Sequence, residues 1–485
     1  MRLILLLTPL ALALPAQDAS LVLRTSVGYR TQRASRPLTD DQKKEADRLE
    51  AAAQSANQAG NYGDAIRHLY HGLAVMNDVP WTPTVEAASA YQAKADHAII
   101  SPAGTVVVQL KPLFQPDAAA EPLTVSLVLR DAHGDNEKVI LEPRKLDSTL
   151  TAKLPAGVTG NYFLETRLTS PTPAAAKSKA YFVKSTPVHI EDLSGDVARL
   201  RTKFSTVPKN APAAATAEYA LALYEHADRG EANPHHIDFS KEFTAAQTVA
   251  DALAAGRDPF AGQHGDVHRA YRSTVDNTLQ PYRIFIPDNY DGTAPAPLVV
   301  ALHGMGGDEN SMFDAYGAGA IKREAARTGL MVVCPKGRDS ASMYQGTAET
   351  DVLDVLAQVR RDLKIDPARI YLMGHSMGGF GTWSIAMRHP DIWAALGPIS
   401  GGANPAGVAA IKNIPEYVVH GDNDKTVNIM MSRVMVQAAK KAGANVTFVE
   451  VPGGSHTDVV VPQFAPMFDF LVKQKKSALE ATATK

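Results

Sequence analysis

The hydrophobic pattern of the chain changes period several times, and each change marks a candidate boundary. From about residue 38 to 80 the apolar positions recur at helical spacing and Gly60-Asn61 interrupts them, which predicts a helical hairpin over 38–96. Asp40 or Asp41 stands where its first helix would be capped. Over 97–190 the period becomes two. Val106 to Leu110, Leu123 to Leu129, Tyr162 to Leu168 and Ala180 to Val183 alternate, with turns such as Asp131-Ala132-His133-Gly134 and Pro155-Ala156-Gly157 between them. This predicts a small β-sandwich. Helical spacing returns over 191–262, in Leu193 to Phe204, Ala214 to Ala227 and Ser240 to Ala255, interrupted by Pro208-Lys209-Asn210-Ala211-Pro212. From 263 to 475 a hairpin, His268 to Ser273 with Pro281 to Ile286, precedes apolar strands near 298–302, 330–334, 369–373, 394–399, 416–420 and 446–451. Helical stretches separate these strands, so the region is predicted to be α/β, with a doubly wound, mostly parallel sheet.

A chain of 485 residues is too long for one core and implies several domains. Its 49 basic and 51 acidic residues nearly cancel, so no nucleic-acid partner is expected. Arg2 and the apolar run Leu3 to Leu14 lead into Pro15-Ala16-Gln17. This predicts a secretory signal over 1–16 and a secreted or periplasmic protein. The run is about 12 residues against the roughly 20 needed to cross a bilayer, so no membrane span is expected. Cys334, the single cysteine, ends an apolar strand and is expected to be a buried small hydrophobe. The sandwich over 97–190 has an immunoglobulin-like strand and turn spacing. It either binds carbohydrate or packs on its neighbour, and the absence of clustered aromatic residues favours packing.

The chemistry concentrates in Gly374-His375-Ser376-Met377-Gly378. The apolar strand before it and the helical stretch after it, ending before His389-Pro390, give this G-x-S-x-G the context of a sharp strand-to-helix turn with a serine at its apex. A serine needs a base and a group that orients the base. Asp424 follows the strand at 416–420, and His456 follows the strand at 446–451 in Pro452-Gly453-Gly454-Ser455-His456. The order Ser, Asp, His, each at a strand end, makes Ser376 the candidate nucleophile, Asp424 the orienting acid and His456 the base, with Asp422 competing for the acid's role. The glycine-rich turn His303-Gly304-Met305-Gly306-Gly307 offers backbone donors, and the amides of Met305 and Met377 are the candidate oxyanion hole. His303 is expected to brace that loop and His375 to pack beside the serine. His303, Asp308 and Glu309 lack metal-ligand spacing, so neither metal nor cofactor is expected.

Residues 267–475 resemble an α/β-hydrolase esterase, close to the feruloyl and acetylxylan esterases and the polyhydroxybutyrate-depolymerase-like enzymes. The resemblance rests on Pro297 to Asp308, Cys334 to Arg338, Ala348 to Val352, Asp366 to Tyr371, Gly374 to Trp383 and Ala386 to Asp391. It implies a serine esterase acting on short-acyl or hydroxycinnamoyl esters of bulky or polysaccharide alcohols. It also implies a substrate-binding role for Tyr344, in a loop where such enzymes often carry tryptophan. Between Ile399 and Tyr417 there is room for only one short helix, so no cap is expected over the site. The alternatives are a prolyl-oligopeptidase-type serine peptidase, which usually carries a β-propeller that has no blade repeats here, and a glycan-binding protein with an accessory hydrolase.

Overall fold

The computed structural model describes residues 17–116, 122–134, 136–169, 182–208, 211 and 213–476. The expected signal at 1–16 lies outside them, as do Lys209, Asn210 and Pro212 of the expected helix break and Ala180 and Tyr181 of an expected strand.

Helices α1 (Gln17–Ser35), α2 (Asp40–Gln58) and α3 (Tyr62–Met76) pack together, followed by short α4 (Pro83–Ser89). Helix α1 is an addition to the expected hairpin. Its apolar residues Leu21, Val22 and Leu23 are consecutive rather than spaced at three or four, so the pattern hides it; Tyr29 anchors it by donating to Ala46 O at 2.7 Å. The cap of α2 is Thr39, not Asp40 or Asp41. Its side chain accepts from Gln42 N while the Gln42 side chain accepts from Thr39 N, a reciprocal box that satisfies two otherwise orphaned donors.

Strands β1 (Tyr91–Ala95), β3 (Thr105–Pro112) and β6 (Thr149–Lys153) form one sheet in the order β1-β3-β6. Strands β2 (Ile99–Ile100), β4 (Thr124–Asp131), β5 (Glu137–Lys145), β7 (Gly160–Thr169) and β8 (Phe182–Ile190) form another, in the order β2-β8-β7-β4-β5. Val106, Val108 and Leu110 of the first sheet share one core with Val125, Leu127 and Leu129 of the second, the i, i+2 residues that period two assigns to one face. Strand β1 falls inside the stretch expected to be helical.

Helices α5 (Ser194–Phe204), α6 (Ala214–Asp228) and α7 (Phe239–Ala254) then pack together, and α6 lies against strand β9 (Gly265–Arg272). Strand β9 is the edge of the last sheet, and Thr216 of α6 closes it: its Oγ1 accepts from Ala270 N at 3.0 Å and donates to Ala270 O at 3.2 Å. An edge strand covered in this way offers no template to another chain.

That sheet has eight strands. Antiparallel β9 and β10 (Leu279–Ile286) are joined by β11 (Ala296–Leu302), β12 (Met331–Pro335), β13 (Ile365–His375), β14 (Ala395–Ile399), β15 (Glu416–Gly421) and β16 (Val446–Val451), in the order β16-β15-β14-β13-β11-β12-β10-β9. All neighbours from β12 to β16 along this order are parallel. Helices α8 (Ser311–Asp314), α9 (Ala320–Thr328), α10 (Thr347–Asp362), α11 (Met377–Arg388), α12 (Met430–Lys441) and α13 (Val460–Leu471) surround it. Strand β11 shows why it reads as continuously apolar: Leu298, Val300 and Leu302 enter the core on one face, and Val299 and Ala301 enter the core on the other. Cys334 is buried on the second face, and burial pushes its thiol well above the ordinary range. Only a 3₁₀ turn, Pro405–Ile411, fills the connection from β14 to β15. No described helix is long and apolar enough to cross a membrane.

Candidate active site

Four loops leave the carboxyl ends of parallel strands β11, β13, β15 and β16, the edge where open α/β sheets place their ligands. Ser376 lies between β13 and α11 with φ 56° and ψ −117°. A non-glycine residue there carries strain of about 1–3 kcal/mol and persists only if its surroundings over-determine it. They do. Ser376 N donates to Ile399 O at 2.9 Å, and Phe380 N donates to Ser376 O at 3.0 Å. A Cβ on Gly374 would overlap the backbone of Gly378, and one on Gly378 would overlap the Leu302 carbonyl. Both motif glycines are therefore required by close backbone approach.

The Ser376 hydroxyl donates to His456 Nε2 at 2.8 Å, and His456 Nδ1 donates to Asp424 Oδ2 at 2.7 Å. The Asp424 side chain is fully buried, and its Oδ1 accepts from the amides of Thr426 (2.8 Å) and Val427 (2.9 Å). Burial pushes this carboxyl up, but hydrogen bonds from His420 and His456 outweigh it and hold the group well below the usual carboxylate range. Asp422 is exposed and does something else: its Oδ1 accepts from Gly453 N at 2.6 Å and ties down the loop that carries His456.

The flanking residues brace these loops. His303 is buried, with its ring nitrogens each 2.8 Å from the carbonyl oxygens of Gly304 and Lys336. Burial, and then the neighbouring His456, push His375 down to about 3, so it is neutral. It accepts from Tyr316 OH at 2.7 Å and donates through Nε2 to His456 O at 2.8 Å. Among the described residues, the amides of Met305 and Met377 donate to no backbone carbonyl of the loop network.

Tyr344 corrects the expectation of a substrate contact. Its side chain is 0% exposed, wedged against Gly337 and Gly381, and its hydroxyl lies 3.4 Å from His303 O. A side chain without accessible surface supports the loop from behind and cannot line a binding wall.

Sequence reasoning missed two partners, Tyr316 and His420. Tyr316 sits in a loop with no motif around it. His420 was visible at the end of β15, four residues before Asp424, yet nothing in that spacing says that the turn folds back onto the ring. A cleft of about 1040 Å³ also opens between α6, α7 and β9. It touches Gly306 and Asp308 from behind, and Ser376 is not in its wall. No group of three His, Cys, Asp or Glu side chains among the described residues could hold a metal ion.

A mostly parallel eight-stranded sheet with a strained serine turn at a strand end, and an acid and a histidine at the ends of its last two strands, defines an α/β-hydrolase. Residues 277–456 match the Esterase family model, and this part of the chain is similar to the carboxylic-ester hydrolases of that family. The chain is 34% identical over 151 residues to a bifunctional acetylxylan esterase/xylanase of Neocallimastix patriciarum, covering 30% of this chain and 21% of that protein. It is 26% identical over 149 residues to feruloyl esterase C of Emericella nidulans, covering 30% of this chain and 54% of that protein. The matches thus span about a fifth and about half of these relatives. Among solved structures, a thermostable esterase aligns over 78% of this chain and 99% of its own at 17% identity, with a TM-score of 0.42.

Proposed function

We propose that residues 263–475 form a serine esterase that cleaves short-acyl or hydroxycinnamoyl esters of bulky or polysaccharide alcohols, in a protein that is secreted or periplasmic. The observation that carries this reading is the unbroken line from Ser376 through His456 to Asp424. In the proposed reaction Ser376 Oγ attacks the ester carbonyl carbon while its proton passes to His456 Nε2. Asp424 fixes the tautomer and stabilises the imidazolium. The amides of Met305 and Met377 hold the oxyanion, and donors of this type contribute about 3 kcal/mol each in the transition state. His456 protonates the departing alcohol, then activates the water that releases the acid from the acyl-enzyme.

Two observations support the substrate class. The similar proteins named above act, by their names, on acetylxylan and feruloyl esters. The connection from β14 to β15 holds only a 3₁₀ turn, too little chain for a lid or a deep acyl tunnel. The reading is tested with p-nitrophenyl acetate, butyrate and octanoate, methyl ferulate, acetylated xylan and an amide, using the wild type and Ser376→Ala. Expected are turnover of acetate faster than octanoate, no amidase activity, and loss of all turnover in the variant. Activity retained by Ser376→Ala would overturn the assignment of the nucleophile. A kcat/KM rising steadily from acetate to octanoate would overturn the open site, since each buried methylene adds about 0.8 kcal/mol only where an apolar wall exists.

A further inference from the structure

We propose that His420 is a positioning residue for catalysis, a second histidine whose ring N–H lies against the same carboxylate oxygen of the orienting acid that meets the base. The proposal rests on the serine-esterase reading above.

The geometry starts at Asp424 Oδ2. It receives His456 Nδ1 at 2.7 Å and lies 3.2 Å from His420 Nε2. The side chains of His420 and Asp424 are both 0% exposed, so water has no access to this contact. The other neighbour of His420 Nε2 is the Val427 carbonyl oxygen at 3.0 Å. Both groups facing Nε2 are pure acceptors, so Nε2 carries the proton, hydrogen-bonded to Val427 O with Asp424 Oδ2 beside it. The ring cannot turn away. Its Nδ1 is 2.7 Å from Ser432 Oγ on α12, and Ser432 Oγ lies 2.9 Å from Gly401 O beyond β14. His420 itself is the penultimate residue of β15, the strand that delivers the Asp424 turn. One ring thereby ties the acid's turn, the acid, helix α12 and the loop after β14 to a single position.

This arrangement has a chemical consequence. A carboxylate oxygen with two N–H groups against it is held in one rotamer and is less basic than one with a single N–H neighbour. Oδ2 then meets His456 Nδ1 in a fixed direction, and the attraction that Asp424 exerts on the His456 imidazolium is moderated. Without the His420 donor, Asp424 becomes both looser and more basic. Looser orientation lowers kcat. A more basic partner stabilises the imidazolium, so His456 must lose its proton at higher pH.

The test uses the full chain with p-nitrophenyl acetate. His420→Leu removes the donor, and His420→Gln retains an N–H near the Nε2 position. For His420→Leu the expected result is a fall in kcat of about 10- to 100-fold, the range typical of groups that orient a reacting ligand. KM should change little, and the acidic limb of the kcat/KM–pH profile should move to higher pH. His420→Gln should recover part of both effects. Ser432→Ala, which frees the far side of the ring, should shift the limb in the same direction by less. It also serves as the independent variant if His420→Leu does not fold. An acidic limb that stays in place in these variants, or equal loss in the Leu and Gln proteins in step with their melting temperatures, would overturn the proposal and leave His420 a packing residue. Activity surviving in Ser376→Ala would instead overturn the esterase reading on which it rests.

Discussion

His375 donates its Nε2–H to the backbone carbonyl oxygen of His456 at 2.8 Å. The residue beside the serine thus holds the main chain of the residue facing it. Because Tyr316 OH occupies Nδ1 and burial keeps the ring neutral, the donor stays on Nε2 throughout the working pH range. His375→Phe should lower kcat by about tenfold or more, since misplacement of a reacting group by about 1 Å is costly. Tyr316→Phe should lower it by less. The shape of the pH–rate profile should be unchanged in both, because His375 titrates near 3. Steady-state kinetics from pH 5 to 9 check this, and a displaced acidic limb in His375→Phe would contradict it.

Ser376 trades stability for position. Its φ of 56° is comfortable only for glycine. Ser376→Gly should therefore abolish ester hydrolysis and stabilise the fold by about 1 kcal/mol, whereas Ser376→Ala should leave stability nearly unchanged. Urea unfolding of the three proteins measures the difference, and an unchanged or lower midpoint for the glycine variant would show that the turn stores no strain.

The two aspartates should separate cleanly. Asp424→Asn should cost about 10⁴ in kcat, because the amide can donate to Nδ1 and favours the wrong histidine tautomer. Asp422 accepts from Gly453 N and does not touch His456, so Asp422→Asn, which keeps an acceptor oxygen, should cost about tenfold at most. The reverse ranking would move the acid's role to Asp422.

An ionic bridge fastens the helical layer to the loop after β11. His268 on β9 lies 3.5 Å from Glu242 of α7 and 3.3 Å from the buried Glu309, with Tyr219 of α6 at its edge. The Glu309 contact is off-line, an ion pair rather than a well-formed hydrogen bond. Burial alone pushes the imidazole down, but Glu242 and Glu309 outweigh it and raise it to about 9. A folded value above the unfolded one, about 6.5, means that the bridge contributes fully below pH 6.5 and is lost as pH rises through 9. Burial pushes Glu309 up, yet its pairing with His268 holds it below its usual value. Its share is therefore present above the unfolded carboxyl value and lost in acid. Thermal melts of the wild type should fall more steeply between pH 7 and 10 than those of His268→Gln, and parallel curves would mean that the bridge does not contribute.

The sequence by itself determined much of this protein. Period two in β3, β4 and β7, helical spacing in α2 and α3, and apolar strands alternating with helices after residue 290 are local patterns, and local sterics with burial turn them into elements. The G-x-S-x-G turn was equally legible, because its glycines answer to clashes with the immediate backbone and with β11. Tertiary structure alone decided what depends on side chains arriving from afar. Ser376 and His456 are 80 positions apart, and which of Asp424 and Asp422 meets His456 depends on which carboxylate the turn after β15 directs inward. Tyr344 left the site for the core because Gly337 and Gly381 leave a slot that its ring fills. His420 meets Asp424 because one turn folds back on its own strand. Such facts follow from packing volume and hydrogen-bond satisfaction among distant segments, and no period or spacing in one stretch of chain encodes them.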